Sequence, residues 1–128
     1  MMEVAAQEGT ARLPSIVRSA LRHDGVCVLT LDDPREPHTM ITPDFCAELD
    51  ACIAAAEGDS RVVAVVIRSG KKHSFVVGAN IRLLQAMRFA RDAEEASLAV
   101  CESFGRVAGA DKPVVACVHG AALGGGFE

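Results

Sequence analysis

The sequence predicts an α/β fold, and three observations predict it. Strand-like and helix-like periodicities alternate along most of the chain. Two short Val-rich runs, 62–67 and 114–118, are apolar almost throughout, as strands buried within a sheet are. Two further β-like runs near the start are separated by an Asp-Gly pair, the signature of a hairpin.

In chain order, residues 1–14 read as a loose leader. They carry Glu3 and Glu8 and no apolar stretch of the kind a secretory signal needs. Residues 15–21 and 26–31 are the hairpin strands, with Arg22-His23-Asp24-Gly25 between them. Asp32-Asp33-Pro34-Arg35-Glu36-Pro37 then breaks into a loop. Thr42-Pro43-Asp44 opens a helix: Thr42 can cap it, Pro43 suits the first helical position, and Asp44 complements the positive end of the dipole. Phe45, Leu49, Cys52, Ile53 and Ala56 recur at helical spacing, and Gly58 ends the helix. The run 62–67 follows as a strand covered on both faces. Residues 70–78 form a loop carrying Lys71, Lys72 and His73. A short helix is expected from near Ala79 through Leu83, Leu84 and Met87. A longer one is expected over 92–107, with Ala93, Ala96, Val100, Phe104 and Val107 on one side. Gly109 and Pro113 punctuate its end. The run 114–118 is a second buried strand, and it leads into a Gly-rich segment ending at Glu128.

Bulk properties narrow the function classes. At 128 residues the chain holds one domain at most, long enough to bury a core. A net charge of −4 without any basic stripe argues against a general nucleic-acid binder, although a few local Lys or Arg could still hold an anionic ligand. No apolar run approaches the ~20 residues of a membrane-spanning helix. The five cysteines (Cys27, Cys46, Cys52, Cys101 and Cys117) are odd in number and form no C-x-x-C pair. They read as free, buried thiols of a reducing cytoplasm rather than disulfides or metal ligands.

Two segments, 62–79 and 114–125, repeat one form: a Val-rich strand, a Gly-containing loop, and a helix start. Helix N-termini present unpaired N–H groups and partial positive charge, so two of them meeting would make a donor pair for a developing oxyanion. Gly124-Gly125-Gly126 is not a P-loop, since no Gly-Lys-Ser/Thr follows, and Gly120 to Gly126 lacks the dinucleotide spacing. Taken alone, the triple glycine fits a plain turn as well as a site.

The residues Ser74-Phe75-Val76-Val77-Gly78-Ala79-Asn80-Ile81 resemble the F-x-x-G-A-D-I segment of the enoyl-CoA hydratase/isomerase (crotonase) superfamily. Lys112-Pro113-Val114-Val115-Ala116-Cys117-Val118-His119-Gly120 and the following Gly124-Gly125-Gly126-Phe127-Glu128 resemble its K-P-x-x-A-x-x-x-G-x-x-x-G-G-G-x-E segment. The resemblance runs from about Ser15 to Glu128. Ser69-Gly70-Lys71 and His38-Thr39-Met40 are similar in particular to the hydratase portion of the multifunctional fatty-acid oxidation complex α-subunits of bacteria.

The resemblance implies the crotonase-like ββα spiral (ClpP/crotonase fold), N-terminal portion only, and an acyl-CoA thioester as substrate. The implied activity is hydration of trans-2-enoyl-CoA to 3-hydroxyacyl-CoA in fatty-acid β-oxidation. It also assigns roles: the backbone N–H groups of Ala79 and Gly125 as an oxyanion hole, Glu128 as a catalytic carboxylate, and Ala79, Asn80, Ile81, Arg82 and Gly125 as the substrate and CoA site. No cofactor is implied beyond the CoA that the substrate carries, and no metal. A carboxylate in an apolar cleft, as expected for Glu128 beside Phe127, can have its pKa raised and exchange protons with water.

Blander readings stand beside these. Glu128 also fits a surface glutamate at a helix start, and Arg82, Lys71 and Lys72 also fit an ordinary solvated surface. His73 and His119 read as structural histidines, lacking a Ser or Cys partner at recognisable spacing. His38 has no assigned role. Asn80 stands where the family commonly has Asp. The resembled family places a second catalytic glutamate and its oligomer contacts beyond the Gly-rich segment, so the expectation is a fragment of a longer enzyme, poorly active alone, whose parent is a homo-oligomer or complex subunit. The competing readings are an enoyl-CoA isomerase or other crotonase activity, and an acyl-CoA-binding or assembly fragment without turnover.

Overall fold

The structure is a computed structural model that describes residues 14–128. The leader expected at 1–14 lies, but for Pro14, outside the described residues. Chain order is β1 (Val17–Leu21), β2 (Val26–Leu31), α1 (Pro43–Gly58), β3 (Ala64–Ser69), α2 (Ile81–Ala86), α3 (Ala90–Ala108), β4 (Val114–Cys117) and a 3₁₀ turn (Gly124–Gly126). The strands form one mixed sheet in the order β1-β2-β3-β4. The β1–β2 hairpin is antiparallel, closed by Arg22 N–H on the Val26 carbonyl at 2.9 Å, and β2–β3 and β3–β4 are parallel.

Helix α1 starts as its sequence dictates. Thr42 is extended, its Oγ1 accepts from the Phe45 N–H at 3.1 Å, and Pro43 occupies the first turn, where its missing donor costs nothing. Phe45, Leu49, Ile53 and Ala56 are buried with Cys27, Leu29, Leu31, Val65 and Ile67 of the sheet. Burying each of the Val, Leu, Ile and Phe side chains among these contributes about 1.5–3 kcal/mol. Cys46 also joins this core, one residue outside the expected stripe. Helix α3 packs on α1, where Asp50 accepts from the fully buried Ser103 hydroxyl at 2.6 Å and pairs with Arg106. The Glu48 carboxylate ties β1 to α1 by accepting from the N–H groups of Ile16 and Val17 at 2.7 and 2.9 Å.

Two sequence expectations need correction. The run 62–67 was expected to be covered on both faces, but Val63 is exposed, the strand starts at Ala64, and burial alternates along it so that one face stays partly open. The run 114–118 was expected to be a buried strand, yet β4 is the sheet's edge and Val115, Cys117 and Val118 are exposed. Apolar composition reports what a strand can bury, not whether a neighbour is there to bury it. Consequently the five cysteines are all free, but only Cys27 and Cys46 are buried, while Cys101 and Cys117 are exposed. Desolvation pushes the thiols of Cys27, Cys46 and Cys52 above their ordinary pKa.

Candidate active site

Beyond the C-terminal ends of β2, β3 and β4 the chain continues as three extended segments lying side by side. This is the end of an open α/β sheet at which ligands bind. The middle segment, 73–80, bonds one neighbour along each edge. Toward residues 39–41 run Val77 N–H to Thr39 O (3.1 Å), Ile41 N–H to Gly78 O (2.8 Å) and Asn80 N–H to Ile41 O (3.3 Å). Toward residues 121–123 run Phe75 N–H to Ala121 O (2.8 Å), Ala121 N–H to His73 O (3.0 Å) and Leu123 N–H to Val76 O (3.0 Å).

The direction of the Ala79 amide follows from this ladder. Successive residues of an extended chain turn their N–H and C=O groups to opposite edges. The Gly78 carbonyl and the Asn80 N–H both face Ile41 in a parallel bridge. The Ala79 N–H therefore faces the other edge, where the Gly-rich segment runs. Among the described residues it has no hydrogen-bond partner. The same holds for the Gly125 N–H, which sits in the first turn of a 3₁₀ segment whose internal bonds begin at Gly126 N–H to Leu123 O (2.9 Å).

The two turns touch. A methyl group on Gly78 would stand 3.1 Å from the Leu123 carbonyl oxygen, and Cβ atoms added to Gly78 or Gly124 would each lie 3.9 Å from the other's Cα. At Gly126 the approach is closer still: a Cβ there would sit 2.0 Å from the Val76 oxygen, so only hydrogen fits. The Ile41 side chain abuts Gly125 and makes the other wall. Sequence reading missed Ile41, because its part depends on a parallel bridge that no local pattern announces.

The remaining candidates fall on the rim. Asn80 is the N-cap of α2, its Oδ1 accepting from the Arg82 N–H at 3.0 Å. A carboxylate could accept the same bond, so Asn in place of the resembled family's Asp leaves this capping role intact. Ile81 is exposed. The Arg82 side chain is 71% exposed, and its guanidinium pairs with Glu36 at 2.7 Å. Glu128 is exposed beside Phe127, itself 82% exposed. The apolar cleft expected around Glu128 is thus not formed by the described residues. The second turn also opens only the short 3₁₀ segment where a helix start was expected.

Lys71, read alternatively as a ligand-facing or solvated cation, is neither. Its ammonium group bonds Asp32 Oδ1 (2.9 Å), Asp33 O (2.6 Å) and Glu36 O (2.8 Å). That Lys71 contact, seconded by Arg18, holds the Asp32 carboxyl below the ordinary carboxylate range. His119 Nε2 lies 2.7 Å from the Lys71 carbonyl oxygen, and His38 Nδ1 lies 3.0 Å from the fully buried Ser74 hydroxyl. His73 contributes its backbone carbonyl to the ladder. A shallow depression lined by Ile67, Val107, Ala110, Lys112, Pro113 and Val114 is lined by none of the residues 73–82 or 119–128. Among the described residues no group of His, Cys, Asp or Glu is placed to hold a metal ion, and no helix is long and apolar enough to cross a membrane.

Residues 22–128 match the family described as "Enoyl-CoA hydratase/isomerase". The chain is 40% identical over 107 residues to the "Fatty acid oxidation complex subunit alpha" of Shewanella amazonensis, a match covering 84% of this chain and 15% of that protein. The chain thus spans about a seventh of the length of the curated relatives it matches. Among solved structures, an enoyl-CoA hydratase from Bacillus anthracis superposes with a TM-score of 0.80 at 19% identity, covering 88% of this chain and 43% of that one. An enoyl-CoA hydratase/isomerase from Xanthobacter autotrophicus gives 0.75 at 27% identity, covering 88% and 41%. The fold is that of the crotonases.

Proposed function

The chain belongs to the enoyl-CoA hydratase/isomerase family, and from that premise we propose that it serves the hydration of trans-2-enoyl-CoA to 3-hydroxyacyl-CoA in bacterial fatty-acid β-oxidation. The observation that carries this reading is the pair of turns in contact, each bearing an N–H without a partner among the described residues, at Ala79 and Gly125.

Addition of water to a conjugated thioester breaks one O–H bond, places the hydroxyl on C3 and the proton on C2, and passes through negative charge on the thioester oxygen. Two fixed N–H donors stabilise that charge as it forms, which lowers the barrier without tightening the ground state equally. Losing one such donor typically costs about 3–4 kcal/mol. Glu128 is assigned the exchange of protons with water and C2. Ala79, Asn80, Ile81, Arg82 and Gly125 are assigned the thioester and CoA contacts. Arg82 would release Glu36 to take a phosphate. The reaction needs no cofactor, because CoA arrives with the substrate and water is the other reactant. A cytoplasmic setting, and a full-length parent that is a homo-oligomer or complex subunit, belong to the same proposal.

The test is a titration of this chain with crotonyl-CoA carrying ¹³C at the thioester carbonyl. Polarisation by two donors moves the carbonyl stretch to lower frequency and the ¹³C resonance downfield. Glu128→Gln should keep that polarisation and abolish incorporation of solvent deuterium at C2 as 3-hydroxybutyryl-CoA forms. Absence of any carbonyl shift on saturation overturns the reading. Polarisation with no deuterium incorporation, indifferent to Glu128→Gln, would favour an acyl-CoA holder without turnover, and migration of a 3-enoyl double bond without hydration would favour an isomerase.

A further inference from the structure

Resting on that reading, we propose that Lys71 and His119 are positioning residues that set the distance between the Ala79 and Gly125 turns. The argument begins with register. The β3–β4 ladder ends at Arg68 paired with Cys117, and pairing resumes at Ser74 with Ala121. Between these points the first strand advances six residues and the second four, so two residues must loop out of the 69–73 segment. Everything downstream, including both turns, inherits whatever geometry that bulge adopts.

Two side chains fasten the bulge. From inside it, the Lys71 side chain is only 16% exposed, and its ammonium group reaches across to Asp32, the Asp33 carbonyl and the Glu36 carbonyl. From the opposite strand, His119 Nε2 reaches the Lys71 carbonyl at 2.7 Å, bridging the gap where no backbone pair exists. The acceptor is a carbonyl, so Nε2 must carry the hydrogen, in the neutral ring as in the imidazolium. One residue thus pins the bulge to the loop after β2, and the other pins it to the strand that leads into the Gly-rich turn. Neither side chain needs to touch the substrate.

The variants are His119→Leu, which deletes the donor at an exposed position, and His119→Gln, whose amide nitrogen can take the place of Nε2. Lys71→Met is the harsher companion, since it leaves Asp32 with Arg18 alone and takes the ammonium donor from the Asp33 and Glu36 carbonyls. With ¹³C-carbonyl crotonyl-CoA, His119→Leu should lose most of the carbonyl polarisation while affinity changes by less than about threefold, and His119→Gln should restore it. In the ligand-free chain, His119→Leu should raise amide exchange at Phe75, Ala121 and Leu123. Full polarisation and unchanged exchange in His119→Leu would overturn the proposal. A wild-type chain that binds without polarising the carbonyl overturns the acyl-CoA reading instead, and the exchange measurement then still decides whether the clamp exists.

Discussion

Gly120→Ala is the substitution whose cost can be worked most directly from the structure. Gly120 has φ +64°, and a Cβ there would sit 2.2 Å from the His73 carbonyl oxygen, 2.4 Å from its carbon and 2.9 Å from the Ser74 nitrogen. These are backbone atoms, so no side-chain rotation relieves the contact. The left-handed conformation alone costs an L-residue about 1–2 kcal/mol. Separating the strands by the ~1 Å needed to seat a methyl group weakens Ala121 N–H to His73 O and Phe75 N–H to Ala121 O, each worth about 1 kcal/mol net. The total is about 3 kcal/mol, which corresponds to a loss of protection on the order of 100-fold. Amide hydrogen exchange at Phe75, Ala121 and Leu123 is the assay, because a local opening can absorb the strain and cap the shift in global stability. Gly105→Ala is the control: it is helical, a Cβ there meets nothing within 4 Å, and it should stabilise α3 by about 1 kcal/mol while leaving those three amides alone. Equal protection in Gly120→Ala and wild type would refute the close approach of the two strands.

Two further outcomes follow from local bonding. Asn80→Ala should cost α2 about 1 kcal/mol and speed exchange of the Arg82 amide, whereas Asn80→Asp should retain the cap; equal exchange in both variants would remove Asn80 from the turn's support. The Asp59 carboxyl, held by the Arg61 guanidinium and backbone N–H, is lowered from 3.8 to about 2. Its folded pKa is the depressed one, so the stabilising pair is complete above pH 3.8 and is lost as pH falls toward about 2. Arg61→Ala should return the carboxyl titration, followed by ¹³C NMR, toward 3.8, and a titration that does not move would exclude Arg61 as the cause.

Much of this architecture is legible in the sequence. The Asp24-Gly25 hairpin and the start of α1 at Thr42-Pro43 follow from turn and cap chemistry that acts within four residues. The two Gly-containing loops could be singled out because small residues are needed wherever backbones meet. What could not be read is whatever depends on residues far apart in the chain. The contact between the two turns, the parallel bridge at Ile41, and the Lys71–His119 link join positions 38 to 50 residues apart. Lys71 looked like a surface cation because its sequence neighbours are polar. Its actual partners come from the loop after β2, which periodicity cannot place. Burial of β4 was overestimated for a similar reason, since its Val-rich composition says nothing of its position at the sheet's edge.

The distribution of burial explains why those distant links matter. Every buried apolar side chain among the described residues lies between Ile16 and Val76, in or next to β1, β2, α1 and β3 or in the segments that follow β2 and β3. Beyond Val76, Ile81, Leu84, Phe89, Leu123 and Phe127 are all exposed. The core therefore specifies the platform, but little apolar burial presses the Gly-rich turn onto it. The turn is held instead by backbone pairs to 73–76 and by the His119 side chain. Hydrogen bonds are directional where burial is not, so such a connection fixes orientation at small cost in total stability. An oxyanion site needs that kind of support, because its donors must keep an angle and a distance rather than merely stay together. Substitutions in this network should accordingly disturb carbonyl polarisation more than they disturb global unfolding, the reverse of what Leu29→Ala or Ile53→Ala would do in the core.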